Sequence, residues 1–153
     1  MAAVVLFKGA GEMASGAARR LLLAGFRVVM TELAQPLCVR RGVSFAESIY
    51  STKATVESVT AIAVRTIDDI KAAWERGEIA VSIDPDCDLL RSLQPVIVVD
   101  ARLAKRNLGT RLDHAELVIG LGPGFTAGRD VHAVVETNRG HNLGRVLQRC
   151  GGR

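Results

Sequence analysis

Two clusters of glycine and one run of polar residues are the parts of this sequence whose types and spacing suit ligand chemistry. Gly9-Ala10-Gly11-Glu12-Met13-Ala14-Ser15-Gly16 has the form G-x-G-x-x-A. In that pattern Gly9 permits a tight turn, Gly11 lets a diphosphate approach the backbone, and Ala14 or the nearby Gly16 lets the following helix pack closely. The helix N-terminus then presents free N–H groups to an anion. Glu32 lies 23 residues past Gly9, where a carboxylate that binds a ribose belongs, and an acid there favours an NAD-like ribose over a 2′-phosphate. Glu12 points the other way, because a carboxylate inside the loop repels a diphosphate. The alternative is a turn of the same shape that binds no nucleotide.

The second cluster, Gly120-Leu121-Gly122-Pro123-Gly124, is followed by Arg129 and His132. Three glycines and a proline in five positions suggest a rigid loop with backbone N–H groups facing a ligand, against a tight structural turn. The run from Glu136 to Arg145 contains Asn138, Arg139, His141 and Arg145, types that suit phosphate or pterin contacts. Its bland alternative is the solvated start of a helix. Asp84 and Asp100 each close an apolar run, and strand ends of this kind line the ligand crevice of open α/β sheets. Lys105 and Asn107 follow Asp100 closely and weigh with it, whereas Asp84 suits a turn with Pro85.

These residues need elements to hold them. Val4–Phe7, Phe26–Thr31, Ala61–Val64, Ile79–Ile83, Pro95–Val99 and Ala115–Ile119 read as strands. Met13–Ala24 reads as a helix stopped by Gly25, and Ile67–Arg76 as a helix with Thr66 at its N-cap and Asp68 and Asp69 in its first turn. Residues 44–59 are ambiguous, with a short strand at Ala54–Glu57 as one reading. Alternation of this kind predicts a Rossmann-like, doubly wound, mostly parallel α/β sheet of about six strands with helices on both faces, in a single domain over 1–153.

Composition narrows the function classes. The chain has 153 residues, 48% hydrophobic, and a net charge of +4, which excludes a disordered chain. Three scattered cysteines (Cys38, Cys87 and Cys150) exclude a disulfide scaffold and read as structural thiols in a reducing compartment, with Cys87 the candidate for carrying sulfur or selenium. The absence of a long apolar run and of a signal-like N-terminus leads to the expectation of a cytoplasmic protein. Residues 1–100 hold eleven Lys and Arg against twelve Asp and Glu, whereas 101–153 hold nine against four. That basic last third suits an anionic ligand more than a nucleic acid, since Phe125 is its sole aromatic. No zinc, P-loop or nucleophile-elbow motif is present, so no metal and no catalytic residue is assigned.

The runs 8–21, 25–50, 99–110 and 117–146 resemble the selenium-dependent molybdenum hydroxylase system proteins, which are related to the xanthine dehydrogenase accessory factors. The resemblance spans nearly the whole chain. It implies a Rossmann-like accessory protein that handles a molybdopterin-type cofactor, assists selenium or sulfur insertion, and has a molybdenum hydroxylase as partner. In that reading Arg129, Arg139 and Arg145 neutralise cofactor charge. The resemblance also implies a chain running on past residue 153, so a truncated member is expected. Two alternatives stand beside it: an NAD-dependent oxidoreductase with His132 or His141 as proton carrier, and a nucleotide-sensing binding module. Self-association stays open, and neither nucleic acid nor membrane is an expected partner.

Overall fold

The computed structural model describes residues 2–37 and 39–148. Met1, Cys38 and Cys150 lie outside the described residues. The strands are β1 (Val4–Lys8), β2 (Arg27–Glu32), β3 (Lys53–Val56), β4 (Val59–Val64), β5 (Ile79–Ile83), β6 (Ile97–Asp100), β7 (Leu117–Leu121), β8 (Ala133–Val135) and β9 (Val146–Gln148). The helices are α1 (Glu12–Leu23), α2 (Ser48–Ser51), α3 (Ile67–Glu75) and α4 (Leu89–Leu93). All nine strands form one sheet in the order β3-β4-β5-β2-β1-β6-β7-β8-β9. The seven inner strands are parallel, and the two edge strands, β3 and β9, run antiparallel to their neighbours.

The central strands are apolar on both sides, as burial between two layers requires. Val5, Phe7, Val28 and Met30 face one layer with Ala14 and Ala18 of α1; Leu6, Val29 and Val98 face the other with Ile70 and Ala73 of α3. Helices therefore cover both faces. The expected cap of α3 is present: Thr66 Oγ1 accepts from Asp69 N–H at 3.1 Å, and Asp69 accepts from Thr66 N–H at 3.2 Å. No described helix is long and apolar enough to cross a membrane.

The sheet has nine strands where about six were expected. The difference lies at its margins. The ambiguous stretch supplies a β3–β4 hairpin at one edge, and β4 is separated from β2 by β5. At the other end, β8 and β9 have three residues each, too few for a visible period. The segment 136–145 is accordingly a hairpin loop rather than a helix start, closed by Glu136 N–H to the Arg145 carbonyl at 2.9 Å and Gly144 N–H to the Glu136 carbonyl at 2.8 Å. The crossover from β7 to β8 contains no helix.

The glycines differ in what they meet. A Cβ at Gly124 (φ +97) would stand 2.8 Å from the Arg106 backbone, whereas one on the exposed, helical Gly16 would meet nothing. Gly124→Ala should lower stability by about 1–3 kcal/mol, and Gly16→Ala should raise it by about 0.4–1 kcal/mol. Urea unfolding of both variants checks the pair.

Candidate functional site

β1 has β2 on one side and β6 on the other, so the chain order switches direction at β1. A crevice of about 560 Å³ lies there, at the carboxyl ends of the strands, where open α/β sheets bind ligands. It is lined by Gly9, Gly11, Glu12 and Met13 after β1, Thr31 and Glu32 of β2, Asp84 and Cys87 after β5, and Ala101 and Arg102 after β6. Its mouth is apolar: Leu33, Leu37, Val39, Leu103 and Leu108 line it and are exposed.

Gly9 has φ +98, and a Cβ there would crowd the Ala101 carbonyl at 3.2 Å, so this turn requires glycine. Gly11 caps α1 with an extended φ of −71, no side chain caps the helix, and a Cβ at Gly11 would meet open space. Ala14 is the close-packing residue, fully buried, while Gly16 is exposed. Glu32 accepts from Ala10 N–H at 3.0 Å and Leu33 N–H at 2.7 Å, which fixes its carboxylate beside the glycine loop. Glu12 pairs with Arg40 at 2.7 Å, which offsets the repulsion its charge would bring to an anion.

The floor of the site is a buried polar network. Asp100 is 1% exposed and accepts from Arg102 Nε at 3.0 Å, from a second guanidinium nitrogen at 2.7 Å, and from Thr110 Oγ1 at 2.7 Å. Burial alone would raise its carboxyl pKa. The hydrogen bonds and charge of Arg102 outweigh that and hold it below the usual carboxylate range. Asn107 closes the loop, exchanging bonds of 2.8 Å with Thr110 N–H and carbonyl. Lys8, at the end of β1, is 2% exposed and donates to Thr110 Oγ1 at 2.7 Å; its Nζ stands 3.3 Å from His114 Nδ1. Burial lowers its pKa, opposed in part by Cys87 and Asp100. A second cavity of about 410 Å³ opens onto Lys8, His114, Arg91, Arg111 and Cys87. Cys87 (φ +56) and Arg102 line both cavities.

The expected site residues fall into groups. Gly9, Gly11, Glu12, Met13 and Glu32 line the crevice; Ala10, Ala14, Asp100 and Asn107 shape it from beneath. Lys105 is exposed. Gly120, Gly122 and Gly124 line neither cavity. A Cβ at Gly120 would overlap the Phe125 ring, and Gly122 and Gly124 pack on Leu103 and Arg106, so these glycines let two loops meet. Arg129, Asn138, Arg139, His141 and Arg145 are exposed and outside both cavities. His132 Nδ1 accepts from Val118 N–H at 2.9 Å, joining β7 to the start of β8. Sequence reasoning missed Lys8, Thr110 and His114; the one signal was a lysine directly before the first glycine.

In comparison with known proteins, the chain is 52% identical over 144 residues, 94% of its length, to "Uncharacterized protein YqeB" of Escherichia coli (strain K12). It spans about a quarter of that relative, 27% of its length. No family model matches the chain. No solved structure matches it.

Arg102→Ala strands a buried carboxylate and should cost about 3–5 kcal/mol near pH 7. A depressed carboxyl pKa contributes stability above the unfolded value, near 3.9, and loses it as pH falls through the folded value. The gap between wild type and variant should therefore narrow below about pH 4, as read by urea unfolding at stepped pH.

Proposed function

We propose that this Rossmann-like domain is an accessory factor in maturing a selenium-dependent molybdenum hydroxylase. It holds a molybdopterin-type or other nucleotide-like anionic cofactor in the larger crevice and presents it to the hydroxylase. The observation that carries this reading is the crevice at the switch point, onto which Gly11 and the uncapped start of α1 open. Its volume suits one cofactor-sized ligand.

The residues fit such a group. The first N–H groups of α1 suit a phosphate, and Met13, Leu33, Leu37 and Val39 suit the face of a flat ring. The charge-neutralising role thus passes from Arg129, Arg139 and Arg145 to the helix terminus, Arg102 being held by Asp100. Cys87 is the free thiol among the described residues and faces both cavities, so it is where sulfur or selenium would be held. The dinucleotide reading has Glu32 beside the glycine loop in its favour. Against its oxidoreductase form, His132 is committed to the β7 backbone and His141 is exposed on the hairpin.

Native mass spectrometry on anaerobically purified protein tests the reading. A molybdopterin mass, retained by Arg139→Ala and reduced at least about tenfold in Gly11→Val, is the expected result. Gly11→Val places its side chain in open crevice and should cost only about 1 kcal/mol of stability. An NAD-type mass would replace the cofactor assignment with a dinucleotide. A bound mass unaffected by Gly11→Val would move the site away from the first loop.

A further inference from the structure

The smaller cavity contains a lysine that neither the fold nor the cofactor crevice explains. A buried ammonium is costly unless a carboxylate pairs with it. Lys8 is 2% exposed, yet its hydrogen-bond partners are a hydroxyl and an imidazole. The nearest buried carboxylate, Asp100, is occupied by Arg102 in a two-point ion pair and by the Thr110 hydroxyl. Because that hydroxyl donates its one proton to Asp100, it meets Lys8 as an acceptor. His114 Nδ1 faces two donors, Lys8 Nζ and the Arg111 backbone N–H at 3.3 Å, so it too is an acceptor and the ring proton is assigned to Nε2.

An ammonium and a neutral amine can both donate to these two acceptors. In the neutral amine, with two N–H bonds and one lone pair, Thr110 and His114 take the N–H bonds and the lone pair is left for the cavity that Lys8 lines. The other titratable groups around it are Arg102, Cys87 and Asp100 at the strand ends, Asp86, Asp88 and Arg91 from the β5–α4 turn, and Arg111 from the loop before β7. Burial and Arg102 favour the neutral form, opposed by Cys87 and Asp100, and the balance lowers the Lys8 pKa. Burial likewise pushes His114 down, toward a neutral imidazole.

We propose that Lys8 is a nucleophilic amine and that the smaller cavity takes a small carbonyl compound, captured as an imine. The amine lone pair adds to the carbonyl carbon, forming a C–N bond. The two amine protons pass to the carbonyl oxygen, which leaves as water, and the C=N bond closes without any oxidant or reductant. His114 stands within reach to relay a proton. The inference is independent of what the larger crevice holds.

Glyoxylate with sodium cyanoborohydride is the probe, applied to the whole chain at pH 7 and read by peptide mapping. The chain has four lysines, and Lys53 and Lys71, with Lys105, are exposed references. The expected result is reductive trapping on Lys8 at least about tenfold faster than on the other three, because the group with the lowered pKa has more neutral amine at pH 7. Selectivity for Lys8 should fall as pH rises past about 10.4, where the exposed amines lose their protons as well. A lysine buried for structure alone would react more slowly than the exposed three at every pH, and that outcome overturns the proposal. His114→Gln keeps an acceptor for Lys8 and serves as the second variant: it should slow Lys8 trapping several-fold while Lys53 and Lys71 react as before. Unchanged Lys8 trapping in His114→Gln, with the fold verified by circular dichroism, would remove His114 from the proton relay.

Discussion

A carboxylate at the centre of a sheet's carboxyl edge must be given donors, and at Asp100 that requirement organises the site. Arg102 and Thr110 supply the donors, and both come from the loop that follows β6. Satisfying Asp100 therefore folds residues 101–110 back across the strand ends, with Asn107 clamping the return. The loop in that position forms a wall shared by the larger crevice and the smaller cavity. Its backbone also sets what its neighbours can be: a Cβ at Gly124 would overlap the Arg106 backbone, and one at Gly9 would crowd Ala101. Breaking the ion pair exposes a buried charge, so the geometry of both cavities is coupled to one interaction.

Much of the left half of the sheet was legible because its signals are local. The apolar runs of β1, β2 and β5 mark strands buried on both faces, and the Thr66–Asp69 capping box marks the start of α3. The first glycine loop was legible for the same reason, since a turn, a helix start and a carboxylate at the end of β2 are all readable from spacing. On the other side of β1, the runs of β6 and β7 were legible as well, and the edge beyond β7 was not. β8 and β9 are three residues long, and β9 is exposed along its length, so neither leaves a period to read. Their pairing turned a polar stretch that suggested phosphate contacts into an exposed hairpin.

The second glycine loop shows why glycine spacing alone is ambiguous. Gly120 and Gly124 are as constrained as Gly9, but by the Phe125 ring and the Arg106 backbone rather than by a ligand. Lys8 is the converse case. Its place directly before the first glycine is the one local feature that sets it apart from a solvated lysine at a strand end. Its burial arises from Thr110 and His114, more than a hundred residues away in sequence. Contacts at that separation carry the chemistry of the smaller cavity, and only the folded chain brings them together.

The dependence of the site on Asp100 is tested most directly by hydrogen–deuterium exchange on Asp100→Asn against wild type. If Asp100 holds the loop across the strand ends, exchange should accelerate in residues 101–114 and at the start of the glycine loop. Protection in α3 and β4, on the far side of the sheet, should be unchanged. Unchanged protection of 101–114 in the variant would contradict the account, because the loop would then keep its place without the interaction said to hold it.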